Sequence, residues 1–259
     1  GEPVITVSND SFAVSFRRAD GFITRYDYQG RPLLGEGGML RPNFWRAVTD
    51  NDMGSGLNTK YKVWRDPEIW LTSLSLSKAG NGRKGGGAAP VTVVARYDMP
   101  GVKAELTMTY AISADGSIMV SEEMKTHGGD SVPPMLRFGM VMQMPYGVDR
   151  STFYGRGPVE NYSDRKLSQR VGIYTQTADE QFYPYIRPQE TGTKSDIRWW
   201  RQTDGAGFGL EVSHAGLFSA SALHYSVAAL DDGDSKEQRH SPQVKKSAYT
   251  NLYIDLVQA

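Results

Sequence analysis

The chain has 259 residues, enough for one large all-β core or two ordinary domains, and its 29 Lys and Arg are balanced by 29 Asp and Glu. With no net field and no block of like charge, nucleic acid and anionic membrane surfaces are excluded as partners, which leaves a neutral one. The absence of cysteine excludes disulfides and thiolate metal sites and fits cytoplasm, periplasm or a secreted domain equally. No apolar run approaches the roughly 18–20 residues that span a bilayer, and Gly1-Glu2-Pro3-Val4 lacks the charged and apolar regions of a signal peptide.

Period-2 alternation dominates from the start. Phe12, Val14 and Phe16 share one face of an extended run, and Asp20-Gly21 then turns residues 12–18 back onto 22–28, since Asp-Gly readily supplies the positive φ of a tight turn. Phe44, Trp45 and Arg46 open a polar run, Arg46-Ala47-Val48-Thr49-Asp50-Asn51-Asp52-Met53-Gly54. Residues 58–70 carry the chain's weak helical option, and no amphipathic helix is expected elsewhere. Strand patterns over 71–77 and 91–98 flank the low-complexity stretch 80–89, read as a hairpin tip in preference to a linker between domains. Leu106, Met108, Tyr110 and Ile112 alternate next, and Asp115-Gly116 joins 102–112 to 117–125. Leu136, Phe138, Met140, Met142 and Met144 form a further strand face. Polar runs return at 154–165, 183–192 and 196–200, followed by a strand through Phe208, Leu210 and Val212. The chain closes on the alternating Leu252-Tyr253-Ile254-Asp255 with no turn or polar tail after it, which predicts an excised fragment. Together these patterns predict an antiparallel meander and an all-β sandwich, large in view of its strand count.

Several catalytic motifs fail on inspection. Asp50-x-Asp52 opens like a calcium loop, but Gly54, Ser55 and Tyr61 stand where an oxygen ligand, glycine and glutamate are required. Gly155-x-Gly157 has Glu160 where a dinucleotide fingerprint wants glycine, and Gly86 occupies the lysine position of a phosphate loop. His127, His214, His224 and His240 have no metal-ligand spacing, so no metal site is assigned. No serine sits in a Gly-x-Ser-x-Gly elbow. Glu122-Glu123 and Asp231-Asp232 are adjacent strand residues pointing to opposite faces, so they cannot flank one glycosidic bond and are expected to be solvated. The sequons at Asn9 and Asn161 are short patterns and are discounted.

The polar runs remain. They combine Arg46, Asp50, Asn51 and Asp52 with Glu160, Asn161, Asp164 and Arg165, then Tyr183, Tyr185, Glu190, Arg198 and Trp199. Sugars present rings of hydroxyls and a face of C–H groups, so carboxylates, amides and arginines around an aromatic platform suit them. The competing reading is that Arg–carboxylate forks simply lock long loops in place.

These runs resemble, in order, the C-terminal domain of the large bacterial β-galactosidases of glycoside hydrolase family 2. The marks are Arg46-Ala-x-x-Asp50-Asn51-Asp52-x-Gly54, Gly155-x-Gly157-Pro158-x-Glu160-Asn161-Tyr162-x-Asp164-Arg165, then Tyr185 to Glu190 and Asp196-x-Arg198-Trp199. The match covers essentially the whole chain, as one small-chain-like domain over 1–259. It implies a large antiparallel supersandwich, galactose mutarotase-like, beside a catalytic barrel outside this chain, in a bacterial cytoplasm or periplasm and with homo-oligomerisation possible for the parent. The family's two catalytic glutamates lie in that barrel, so no catalytic residue is expected here. The domain needs no cofactor of its own, while magnesium and sodium serve the parent through other domains. The resemblance makes Gly54 the hinge of a loop over the substrate site, with the remaining polar residues at the rim of a site for β-galactosides. One departure stands out. Asn251 precedes Leu252-x-Ile254-Asp255 where the family's well-studied member has a tryptophan facing the aglycone, so Tyr249 or Tyr253 would have to supply the platform. Three other functions compete: a stand-alone carbohydrate-binding module, an aldose epimerase-like domain, and a structural role in assembly.

Overall fold

The computed structural model describes residues 3–77, 89–231, 233 and 239–258, and the chain divides into two compact units. The first draws on the chain up to Leu34 and on Pro67–Pro133, the second on Gly35–Asp66 and the chain from Pro134 onward.

In the first unit β1 (Val4–Ser8), β2 (Phe12–Arg17), β3 (Ile23–Tyr28) and the two-residue β4 (Arg31–Pro32) pair antiparallel in chain order. After β5 (Leu40–Asn43), which belongs to the second unit, come β6 (Trp70–Ser77), β7 (Val91–Met99), β8 (Ala104–Ile112) and β9 (Ile118–Thr126), a four-stranded antiparallel meander. The two Asp-Gly turns fold as their chemistry dictates. Gly21 and Gly116 take φ of 72° and 86°. Asp20 accepts the Phe22 N–H at 3.1 Å and Asp115 the Ser117 N–H at 3.0 Å, the side chain standing in for a backbone turn partner. Val14, Phe16, Leu106, Met108 and Tyr110 are fully buried, and Phe16 meets Tyr110 edge-on at 5.1 Å. The strands expected at 71–77 and 91–98 do pair with each other; the glycine-rich run between them lies, apart from Ala89, outside the described residues.

The second unit does not follow chain order. Its sheet runs β5, β10 (Arg137–Pro145), β15 (Tyr249–Gln258), β14 (Gly209–Leu223), β13 (Lys194–Thr203), β11 (Arg150–Gly157), β12 (Arg170–Thr177), all antiparallel. The meander predicted from sequence is therefore confined to the first unit. Met142, Met144, Phe153, Trp200, Ala222 and Leu252 are buried, with Phe153 and Trp200 stacked at 4.8 Å. The strands β11 to β13 carry little hydrophobic alternation, because β11 turns Ser151, Gly155 and Gly157 inward and β13 buries Lys194 and Gln202.

The helices α1 (Asp50–Gly54), α2 (Leu57–Lys60), α3 (Ala178–Gln181) and α4 (Val227–Leu230) are four or five residues long. The helical option over 58–70 is realised only as α2 and a 3-10 turn at Lys62–Trp64, and Trp70 already opens β6. Asp231 corrects another expectation. Its side chain is shielded, not solvated, and accepts the Trp45 indole N–H at 2.5 Å beside Arg65 at 3.5 Å. Asp232 lies outside the described residues.

Candidate functional site

Helix α1 starts where Thr49 and Asp52 cap one another. The Asp52 N–H donates to Thr49 Oγ1 at 3.2 Å and the Thr49 N–H to Asp52 Oδ2 at 2.7 Å, a reciprocal capping box. Both Arg46 Nη atoms also reach the Asp52 carboxylate. Burial by itself would raise the Asp52 pKa, but the Arg46 fork and the Thr49 donors outweigh it and hold it below the usual range. One residue into the helix, Asp50 receives Arg187 Nε at 2.9 Å and Gln189 Nε2 at 3.1 Å, and Arg187 also donates to the Val48 carbonyl. The run 46–54 is thereby tied to 185–190.

The run 155–165 joins through Glu160. This carboxylate accepts from Arg165 Nη2 at 2.7 Å, Thr191 Oγ1 at 3.0 Å, the Gly192 N–H at 2.7 Å and the Tyr185 hydroxyl. Asn161, wholly buried, donates to the carbonyls of Arg156 and Val159 at 3.0 Å and accepts from Ser195, so it staples its loop to β13. Glu190 is held by Arg137 and by Thr193 Oγ1 at 2.8 Å, and Arg137 in turn pairs with Asp255 at 2.8 Å. One fully buried guanidinium thus serves two carboxylates. Burial pushes Asp255 up to about 7, only partly offset by Arg137. Lys194, buried with its Nζ on the Gly192 carbonyl at 2.7 Å, is pushed down to about 7 by the same desolvation.

Above these pairs lies a cleft of about 620 Å³, whose lining includes Arg46, Asp50, Tyr162, Arg165, Tyr185 and Glu190. Asn51, Asp52, Ser163 and Asp164 line it too. Three runs separated by up to 139 positions therefore meet in one place. Among the described residues the side chains of Asn51, Ser163 and Asp164 enter no hydrogen bond or ion pair, and all three are exposed. The aromatic rings of the cleft are Tyr162 and Tyr185, with the Arg165 guanidinium 4.9 Å from the Tyr162 ring.

Other expected site residues lie elsewhere. Arg198 and Trp199 sit on β13 away from the cleft lining, where Arg198 packs over Tyr154 at 5.2 Å and Arg201 over Trp199 at 4.8 Å. Asn251 is buried in β15, donating to the Leu223 carbonyl at 3.1 Å and to Ser247 Oγ at 2.9 Å. Both tyrosines named beside it are held through their hydroxyls. Tyr249 donates to the Glu36 carbonyl at 2.7 Å, and Tyr253 is buried with its hydroxyl accepting the Val227 N–H. Gly54 ends α1 with an ordinary φ and open space at its Cβ position, while Gly56, at φ 72°, makes the left-handed step into α2. Sequence reasoning passed over Thr49, although Thr-x-x-Asp is a capping-box spacing. It also passed over Arg137, which no local motif marks. No three His, Cys, Asp or Glu side chains among the described residues are grouped as a metal site requires.

Comparison with known proteins identifies the family. The family described as Beta galactosidase small chain matches residues 8–259. A β-galactosidase of Priestia megaterium (strain DSM 319 / IMG 1521) is 32% identical over 242 residues, 90% of this chain and 22% of that protein. One from Lactobacillus delbrueckii subsp. bulgaricus is 30% identical over 230 residues, 88% of this chain and 22% of that protein. A galactose mutarotase-like protein from Lactobacillus casei ATCC 334 aligns over 98% of this chain and 99% of its own at 12% identity and a TM-score of 0.45, too distant to add to the topology described above. The chain spans about 22% of the length of the curated relatives it matches. It belongs to the beta-galactosidase small-chain family.

Proposed function

We propose that this chain is one part of a longer β-galactosidase and that its cleft forms the rim of the substrate entrance, while the bond-breaking carboxylates lie in parts of the parent outside these residues. The observation that carries the reading is the division of labour in the cleft. Asp52, Glu160 and Glu190 are each neutralised by an arginine and by further donors, whereas Asn51, Ser163 and Asp164 stand free at the edge. Glycoside hydrolysis needs one carboxyl kept protonated to serve as acid and a second free to attack or to activate water. Asp52, held ionised below the usual range, suits neither role. The free amide, hydroxyl and carboxylate instead match sugar hydroxyls as donors and acceptors. Magnesium and sodium, which the family resemblance implies for a parent enzyme, would be held by its other parts.

Kinetics of the parent enzyme test this. Asn51→Ala and Asp164→Ala are each expected to raise KM for a β-galactoside by about 3- to 10-fold with kcat unchanged, the equivalent of one net hydrogen bond. Unaltered KM in both variants would remove the cleft from the substrate path. A kcat loss of several orders of magnitude for Asp164→Ala would instead make it catalytic.

A further inference from the structure

Strand β12 ends the sheet of the second unit, and among the described residues it pairs with β11 on one side and with no strand on the other. Its eight residues match β11 without a register shift, so the free edge is long and regular. Exposed edges of that kind invite pairing with another chain, and proteins ordinarily blunt them with charges, prolines or bulges. The outer strand β9 of the first unit shows the usual remedy, with Glu122, Glu123 and Lys125 along its length. β12 has none after Arg170 at its first position. It instead exposes Val171 at 40% and Ile173 at 66%. Register places the exposed Tyr154 beside Ile173, extending the apolar row onto β11, before Trp199 on β13, where Arg198 and Arg201 guanidiniums lie over the Tyr154 and Trp199 rings. Val159 and Leu167, exposed at 57% and 90%, lie on the loop leading into β12. Contiguous apolar surface of this sort marks an interaction site. Arg170 at one end of the hairpin and Arg150 at the other make no ion pair with any described residue.

We propose that the free edge of β12 receives an added β-strand, contributed by the portion of the parent polypeptide outside these 259 residues. That segment places apolar side chains against Val171 and Ile173 and an acidic residue near Arg150 and near Arg170. The inference rests on the reading of the chain as part of a longer enzyme. The relatives' length, of which this chain spans 22%, supplies ample chain, and main-chain pairing with alternate side-chain contacts is how sheet edges take up extended segments.

Amide hydrogen exchange on the intact parent protein tests it, with the exposed Gly205 amide of the 204–207 turn, which bonds no described residue, as the internal fast reference. The β12 amides that do not bond β11 are expected to exchange about 100-fold more slowly than that amide. Ile173→Lys in the parent is expected to abolish this protection while leaving β10 protected. Exchange of those amides as fast as the Gly205 reference overturns the proposal. So does protection that appears only as protein concentration rises together with dimer formation, because the occupant is then a second copy. β-Galactosidase activity, measured on the same sample, reports separately on the functional reading: an inactive parent with a protected β12 sinks that reading and leaves the added strand standing.

Discussion

In the first unit, strands adjacent in sequence fold back through Asp20-Gly21 and Asp115-Gly116, and their sheets meet through apolar faces such as Phe16 against Tyr110. In the cleft of the second unit, Asp50 is held by Arg187 and Gln189, 137 and 139 positions further on, and the floor rests on Arg137 between Glu190 and Asp255. The contrast teaches that one region is specified by local turn chemistry and burial. The other is specified by complementary charges that find one another only after the chain has folded. Hydrophobic burial tolerates approximate matches. A buried guanidinium shared by two acids does not, because losing it leaves both charges without a counterion.

The largest effect is expected at that guanidinium. Arg137→Met should destabilise the protein by about 3–5 kcal/mol in urea denaturation, and adding Glu190→Gln with Asp255→Asn should recover much of the loss. A cost below about 1 kcal/mol would show that the ionic floor is not what holds the cleft. Next comes the local side of the comparison. Gly116→Ala, at φ 86° and with a Cβ 3.0 Å from Phe12, should cost about 1–2 kcal/mol from the left-handed backbone alone. A neutral result would mean that the turn does not direct its hairpin.

A change of slope follows. Because burial takes Lys194 down to about 7 from 10.5, the unfolded chain holds a proton that the folded one lacks between those values. Wild-type stability should therefore rise with pH through that window. Lys194→Met should flatten the rise, and denaturation midpoints across pH 7 to 10.5 would check it. The smallest effect is expected at the rim. Asn51→Ala and Asp164→Ala should leave stability within about 0.5 kcal/mol of wild type, which would separate the part in substrate affinity proposed for them from the structural part of Glu160.

The legible portion of the fold was whatever alternates. The β2–β3 and β8–β9 hairpins emerged from Phe12, Val14 and Phe16, from Leu106 to Ile112, and from the Asp-Gly pairs. Strand β11 escaped because Ser151 and two glycines fill its inward positions on either side of Phe153, and the interleaved strand order of the second unit leaves no local trace. In the site, the density of acids, amides and aromatics in three runs singled out Arg46, Asp50, Asn51, Asp52, Asp164, Arg165 and Glu190, and the fold gathers these into the lining of one cleft. The same density singled out Arg198 and Trp199, which pack against Tyr154 and Arg201 away from the cleft lining, and Asn251, whose amide is bonded to the Leu223 carbonyl and Ser247 Oγ. Composition cannot separate a polar residue that faces a ligand from one that staples a loop, since both need the same donors and acceptors.

Sequence alone determined that the chain is all-β, where its tight hairpins turn, and which family it belongs to, because turn chemistry, period-2 burial and ordered motifs are properties of short segments. Tertiary structure alone decided that three remote runs share one cleft and that Arg137 anchors its floor. It also decided that Asn51, Ser163 and Asp164 are left free while their neighbours are consumed in pairs. Whether a charge is partnered depends on what the fold carries to within hydrogen-bond reach of it, and no local stretch of chain encodes that distance.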